Sequence, residues 1–248
     1  MSDDKSKRLQ LTLWDIQNRW GQKAVSVLST LTGSDESVSI KTGFEVLDAV
    51  LSGGGIPRGR ITELVGAPTS GMTTLAHKIA ASAQTTDGTV AYIDLGGTFD
   101  PDYALRCGVS LDRLLIIRPK NVERALEVAR DLLKEGKLGV ITLDMVAYGS
   151  SERIPSLGTA LRRFTEPLVK SRCAVLFLFA PASHQGWQAL DEFTHTHLLL
   201  ERQEWLYNRR DVQGYGVQIT VVKDKASAGE KRIRVEITFD SVVKGDGT

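Results

Sequence analysis

The run Gly66-Ala67-Pro68-Thr69-Ser70-Gly71-Met72-Thr73-Thr74 constrains this chain more than any other stretch. It follows a short apolar segment, Ile61–Val65, and precedes Thr73–Gln84, which reads as a helix. A glycine-bearing turn between strand and helix lets backbone N–H groups cradle phosphate oxygens, and the helix N-terminus adds partial positive charge. The pattern GxxxxGK[ST] of a phosphate loop is met everywhere except at the lysine. Thr73 supplies the hydroxyl that ordinarily binds Mg2+, and Met72 stands where the lysine belongs.

That one departure has a size. A lysine ammonium about 4 Å from a phosphate charge is worth roughly 4 kcal/mol at an effective dielectric near 20. Its loss costs on the order of a thousand-fold in affinity or rate. Methionine fills the volume of the lysine stem without the charge. Two readings fit: a nucleotide pocket that binds weakly or without turnover, and an inherited loop that only supports the fold. Hydrolysis is disfavoured under both. Asp144 ends the apolar run Gly-Val-Ile-Thr-Leu-Asp. A strand-tip aspartate beside a phosphate loop is where Mg2+ is held, although strand-end aspartates also serve as caps.

Around this loop, apolar strands and amphipathic helices alternate. Strands are expected at Ile61–Val65, Val90–Leu95, Leu114–Ile117, Gly139–Leu143 and Ala174–Phe179, and helices at Thr73–Gln84, Pro101–Cys107, Asn121–Lys134 and Pro155–Ser171. Apolar strands without polar alternation are buried on both sides, so the expected fold is α/β, a mostly parallel twisted sheet with helices on both faces. Thr196–Glu201, Gly216–Lys223 and Ile233–Phe239 follow without long helices between them, and predict antiparallel strands at the C-terminal end. Before the core, Leu9 to Leu31 has apolar residues at spacings of three and four and reads as a helix ending at Thr32-Gly33-Ser34-Asp35. The expected organisation is a helical arm and linker at 1–38 and a core at 39–248.

With 248 residues and a formal net charge of +1, the chain lacks the strong basic footprint of a dedicated nucleic-acid binder. Cys107 and Cys173 belong to no CxxC or Cys/His cluster and read as buried thiols in a reducing compartment. The N-terminus has no long apolar run, so a cytoplasmic protein is expected. His195 and His197 read as ordinary strand residues, and His77 and His184 give no constellation.

At this point the chain resembles bacterial RecA. The resemblance rests on Ser39-Ile-Lys-Thr-Gly-Phe-Glu-Val-Leu-Asp48, on Gly53 through Gly66, on Tyr92-Ile-Asp-Leu-Gly-Gly-Thr-Phe-Asp-Pro-Asp-Tyr-Ala104 and on Val221-Val-Lys-Asp-Lys225. It runs from about residue 9 to about 240 and implies a RecA-like phosphate-loop core without the family's small C-terminal domain. It implies that Gly66, Ala67, Pro68, Thr69, Ser70, Gly71, Met72, Thr73 and Thr74 face phosphate. Asp100 and Tyr103 would contact adenine, and Thr73 and Asp144 would hold Mg2+ when ATP or ADP is bound. Lys223 and Lys225 would reach a neighbouring protomer's nucleotide, and the N-terminal helix would join a second copy or another RecA-family partner. It also implies losses: Gly96 stands where the family has the glutamate that activates water, and Pro181 near where it has a glutamine that senses the γ-phosphate. A proline has no backbone N–H to donate.

The resemblance further implies DNA loops near Val146–Pro155 and Ala182–Thr194, where Arg153 and Trp187 are the candidate contacts. The charge for tracking a phosphate backbone is sparse there, and Trp187 can equally be a packing anchor. Arg202, Arg209, Arg210, Lys231, Arg232 and Arg234 offer a basic patch elsewhere, or simply a solvated face. Three functions fit: a non-catalytic accessory or regulatory RecA paralogue in DNA recombination or repair, a weak DNA-dependent ATPase completed by a neighbouring protomer, and a partner-binding module of the translesion-polymerase accessory kind.

Overall fold

In the computed structural model the chain divides into two units, Met1–Ser37 and Val38–Thr248. Apart from Asn18, the structure describes residues 39–147, 157–227 and 229–239, all in the second unit. The expected N-terminal helix and Arg153 lie outside these residues.

The elements in chain order are β1 (Ser39–Ile40), α1 (Glu45–Val50), β2 (Ile56–Pro57), β3 (Ile61–Gly66), α2 (Met72–Asp87), β4 (Thr89–Asp94), α3 (Pro101–Arg106), β5 (Leu114–Ile117), α4 (Val122–Glu135), β6 (Leu138–Asp144), α5 (Leu157–Ser171), β7 (Ala174–Phe179), α6 (Pro181–His184), β8 (Thr194–Asn208), β9 (Asp211–Asp224) and β10 (Lys231–Thr238). Among the described residues, β1 and β2 form a small ribbon and the others one sheet of order β10-β9-β8-β3-β7-β6-β4-β5. Strands β8 through β5 in that order pair in parallel. β8, β9 and β10 pair antiparallel. This is the α/β architecture that the apolar strands predict.

The inner strands β3, β6 and β7 are buried and mostly apolar along their whole length because both faces are covered. In β3, Leu64 faces a cluster with Leu75, Ile79, Leu176, Leu178 and Val217, closed by α2. Ile61 and Val65 face the other way, into a cluster with Leu126, Leu161, Phe164, Phe177 and Phe179, closed by α4 and α5. The start of α4 is fixed by Asn121, whose side chain accepts from the Arg124 N–H, and its end by Gly136 at φ 65. Helix α5 continues through Pro167.

Two features depart from expectation. β8 runs to Asn208 and β9 starts at Asp211, so the hairpin is much longer than Thr196–Glu201 and Gly216–Lys223. Its outer part is polar and exposed, which hides it from a pattern that looks for burial. Arg209 takes a left-handed φ of 56 at the turn. The β1–β2 ribbon, two residues per strand, is too short to show any periodicity.

Candidate functional site

The loop expected to face phosphate is formed as a strand-to-helix turn. Thr69 at φ 68 and Gly71 at φ 94 both take left-handed backbone. The φ of Gly71 favours glycine, and a Cβ there would also lie 2.7 Å from Ile237 Cδ1, whose side chain would have to shift. No side chain caps the start of α2, which leaves its first N–H groups facing outward. The loop and α2 open into a cavity of about 420 Å3, within the range of small-molecule sites.

One end of this cavity is the loop. Met72 is 4% exposed and belongs to the apolar cluster under α2. Thr74 is buried, and its hydroxyl lies 2.5 Å from the Tyr103 hydroxyl. Asp144 is a buried strand tip whose carboxylate accepts from the Tyr92 hydroxyl at 2.6 Å and from the Val146 N–H at 3.0 Å. Burial pushes its carboxyl above the ordinary range, against the lowering effect of those two bonds. Arg202, on β8, donates to the Thr69 hydroxyl at 3.0 Å and lies over the Trp205 ring at 4.5 Å. Among the described residues lining the cavity, Arg202 is the sole side chain with a permanent positive charge.

The other end is a set of rings. His77, Tyr92, Phe99 and Tyr103 pack with His77 5.5, 5.6 and 6.1 Å from the other three. Trp205, Tyr215 and Phe239 continue the wall from the hairpin side. Burial holds the His77 imidazole down to about 4, so it is neutral at neutral pH. Asp100 caps α3, with Oδ1 accepting from the N–H groups of Asp102 and Tyr103, and stays exposed at the cavity rim. Asp94 shapes the turn before it by accepting from Thr98 N–H, Phe99 N–H and Arg118.

These residues fit a nucleotide held by backbone N–H groups, ring surfaces and one arginine. They fit Mg2+ less well, because both Asp144 oxygens already accept and only part of their lone-pair capacity is left. Gly96 does not line the cavity, and a Cβ there would lie 2.5 Å from the Ala147 Cβ. A glutamate at that position requires Ala147 to move.

The remaining candidates fall elsewhere. Lys223 pairs opposite His197, while Leu200 sits beside Gly66, so both lysines lie toward the end of the sheet away from the loop. Their Nζ atoms donate to the carbonyls of Asp191 at 2.5 Å and Glu192 at 3.1 Å. Trp187 is corrected from a DNA contact to a packing residue: it is 3% exposed, with its ring 5.7 Å from Phe177 and 5.1 Å from Phe179. Four of the six residues of the basic patch have partners, while Arg209 and Arg210 stay exposed at the hairpin turn. Arg202 turns to the loop, Lys231 donates to the Val50 carbonyl, Arg232 pairs with Glu230 and Arg234 with Glu204. Cys107 and Cys173 are buried free thiols.

His184 does join a constellation, contrary to the sequence reading. Glu63, His184, Asp191 and His197 converge on the α5 side of the sheet. Burial raises the Glu63 carboxyl, but hydrogen bonds from His184 and Thr194 more than offset this and leave it below its ordinary value. The bond to Glu63 raises His184, and burial lowers His197. Glu63 is 121 residues from His184 in sequence, a separation that no spacing rule detects. Arg202, Trp205, Tyr215 and Phe239 were missed as cavity residues for the same reason.

Sheet order, phosphate-type turn and cavity at the strand tips define a protein of the phosphate-loop α/β class. The chain belongs to the RecA family. Residues 7–154 match the RecA N-terminal domain. The whole chain is similar, at 31% identity, to Protein RecA of Chloroflexus aurantiacus (strain ATCC 29364 / DSM 637 / Y-400-fl), covering 78% of that relative. It is 32% identical to Protein RecA of Methylobacterium sp. (strain 4-46), over 100% of this chain and 75% of the relative. Protein RecA of Caulobacter sp. (strain K31) is 31% identical over 95% and 73%. Among the described residues, no helix is long and apolar enough to cross a membrane.

Proposed function

We propose that this chain is a non-hydrolysing RecA paralogue that serves as a cytoplasmic accessory or regulatory protein in DNA recombination or repair, and that its cavity holds a nucleotide without turning it over. The observation that carries this reading is the state of the cavity: the loop, the rings and Arg202 line it, while a buried Met72 stands where a charged lysine would face phosphate. Arg202 supplies a positive charge from β8 instead, and Tyr103 and the neighbouring rings offer a base-sized apolar surface. Hydrolysis needs positioning and charge stabilisation together. Met72, Gly96 and Pro181 remove parts of both.

Calorimetric titration with ATP and ADP, with and without Mg2+, tests this beside a phosphate-release assay. Binding without release is the expected result, and Met72→Lys tightens it if the buried position can turn toward phosphate. Mg2+-dependent turnover comparable to that of a filament-forming RecA, abolished by Thr73→Ala or Asp144→Ala, overturns it. The second reading, an ATPase completed by a neighbour, draws on Lys223 and Lys225, which lie away from their own cavity and lean on backbone carbonyls. Turnover that appears only at high protein concentration or with DNA selects it. Sedimentation with and without DNA, or with another RecA-family protein, tests assembly through residues 1–38.

A further inference from the structure

We propose that Glu63, His184, Asp191 and His197 form a binding site for one dication of the zinc type, which ties the segment after β7 to the middle of the sheet. One ligand atom from each of the four lies within 4.8 Å of the others. Glu63 is on β3 and 0% exposed, and His197 is its direct neighbour on β8. His184 closes α6 and Asp191 follows the helical turn Gln185–Leu190, so four separate places in the chain converge.

The arrangement is built around Glu63. Its Oε1 accepts from the Thr194 hydroxyl, and its Oε2 lies 2.6 Å from His184 Nε2. The Thr194 bond fixes the carboxylate and leaves Oε2 facing the imidazoles, as an outer-shell partner does for a ligand. The imidazoles of His184 and His197 are 5.3 Å apart and tilted by 59°. An ion pair with Glu63 uses one histidine and gives no role to the second, nor to Asp191. A dication uses all four: two carboxylates balance its charge, and two neutral imidazoles complete a mixed nitrogen and oxygen set that suits zinc. Tetrahedral bonds of about 2.0–2.2 Å place ligand atoms roughly 3.4 Å apart, so the Glu63–His184 pair, now hydrogen-bonded at 2.6 Å, opens as the ion replaces the proton, and the wider pairs draw in. Asp191 is exposed and can turn to do so. The nearest competing charge, the Lys223 ammonium, is held 2.5 Å from the Asp191 carbonyl.

The test uses the full chain, stripped with a chelator and titrated with ZnCl2 without nucleotide, so its outcome is independent of the cavity. One equivalent binds, and the thermal midpoint rises with it. His197→Ala and Asp191→Ala each weaken binding by at least about tenfold, the lower end of what loss of even an outer-shell partner costs. His195→Ala, on the same strand but outside the group, leaves binding unchanged. Absence of stoichiometric zinc in the wild type overturns the proposal, as does equal binding by the His197 and Asp191 variants. If circular dichroism shows His197→Ala unfolded, the exposed Asp191 variant decides alone.

Discussion

The two ends of the cavity differ in what they offer a ligand. At the loop end the turn keeps its backbone, with Gly71 at φ 94 and an uncapped helix start, but its central side chain is an apolar Met72. At the ring end His77, Tyr92, Phe99 and Tyr103 pack together, while Trp205 and Tyr215 stand beside the loop, against Arg202 and Gly71. The contrast teaches that shape and charge are separable in such a site. Shape comes from packing that also holds the fold together, so it persists. Charge comes from single side chains that folding does not need, and Met72 packs better than an unpaired ammonium would.

The strongest way to break this contrast acts through His77 at the ring end. Its folded value of about 4 lies below the 6.5 of an unfolded histidine, so the unfolded chain binds the proton more readily. The His77 contribution is therefore constant above pH 6.5 and falls as pH drops toward 4, by about 3 kcal/mol in all. Urea unfolding at pH 7.5 and pH 5 reads about 2 kcal/mol of this, and His77→Gln should flatten this part of the pH dependence. An unchanged slope would mean the ring end is wetter than its packing implies.

Arg202→Ala tests the loop end next. It should weaken nucleotide binding by about tenfold, because a charge-assisted contact to phosphate is lost. Arg202 is exposed, so added salt should shrink the difference. Titration at two salt concentrations reads both effects.

Tyr92→Phe is the smallest change and sits where the two ends meet. It removes the hydroxyl bound to Asp144 and should cost about 1 kcal/mol of stability in urea. It also frees Asp144 Oδ2, so nucleotide affinity should become more sensitive to Mg2+. If that sensitivity stays the same, the Tyr92 bond is not what keeps the metal position occupied.

Much of the fold was legible because the parallel strands are apolar runs: β7, buried throughout, and β5, a half-exposed edge strand, both have the bounds that the pattern predicts. The loop was legible because its chemistry is local, nine consecutive residues. What sequence hid depends on pairing between distant strands. Arg202 and Trp205 sit in a polar stretch that reads as surface, and only the hairpin brings them over the loop. The sequence reading dismissed His184 because its partners Glu63 and His197 lie on β3 and β8. Trp187 was open to two readings from sequence, a DNA contact or a packing anchor, and the core beneath β7 takes it in.

The hairpin carries one more consequence. Arg202 pairs with Val217 and Trp205 with Tyr215, so β8 spends three steps where β9 spends two. Residues an odd number apart on a regular strand point to opposite sides. The surplus residue reverses that parity and lets arginine and tryptophan meet on one side. A codon deleted between them would remove the surplus residue and leave the two side chains two steps apart on the same side, whereas a codon inserted there would swap inside for outside along the rest of the ribbon.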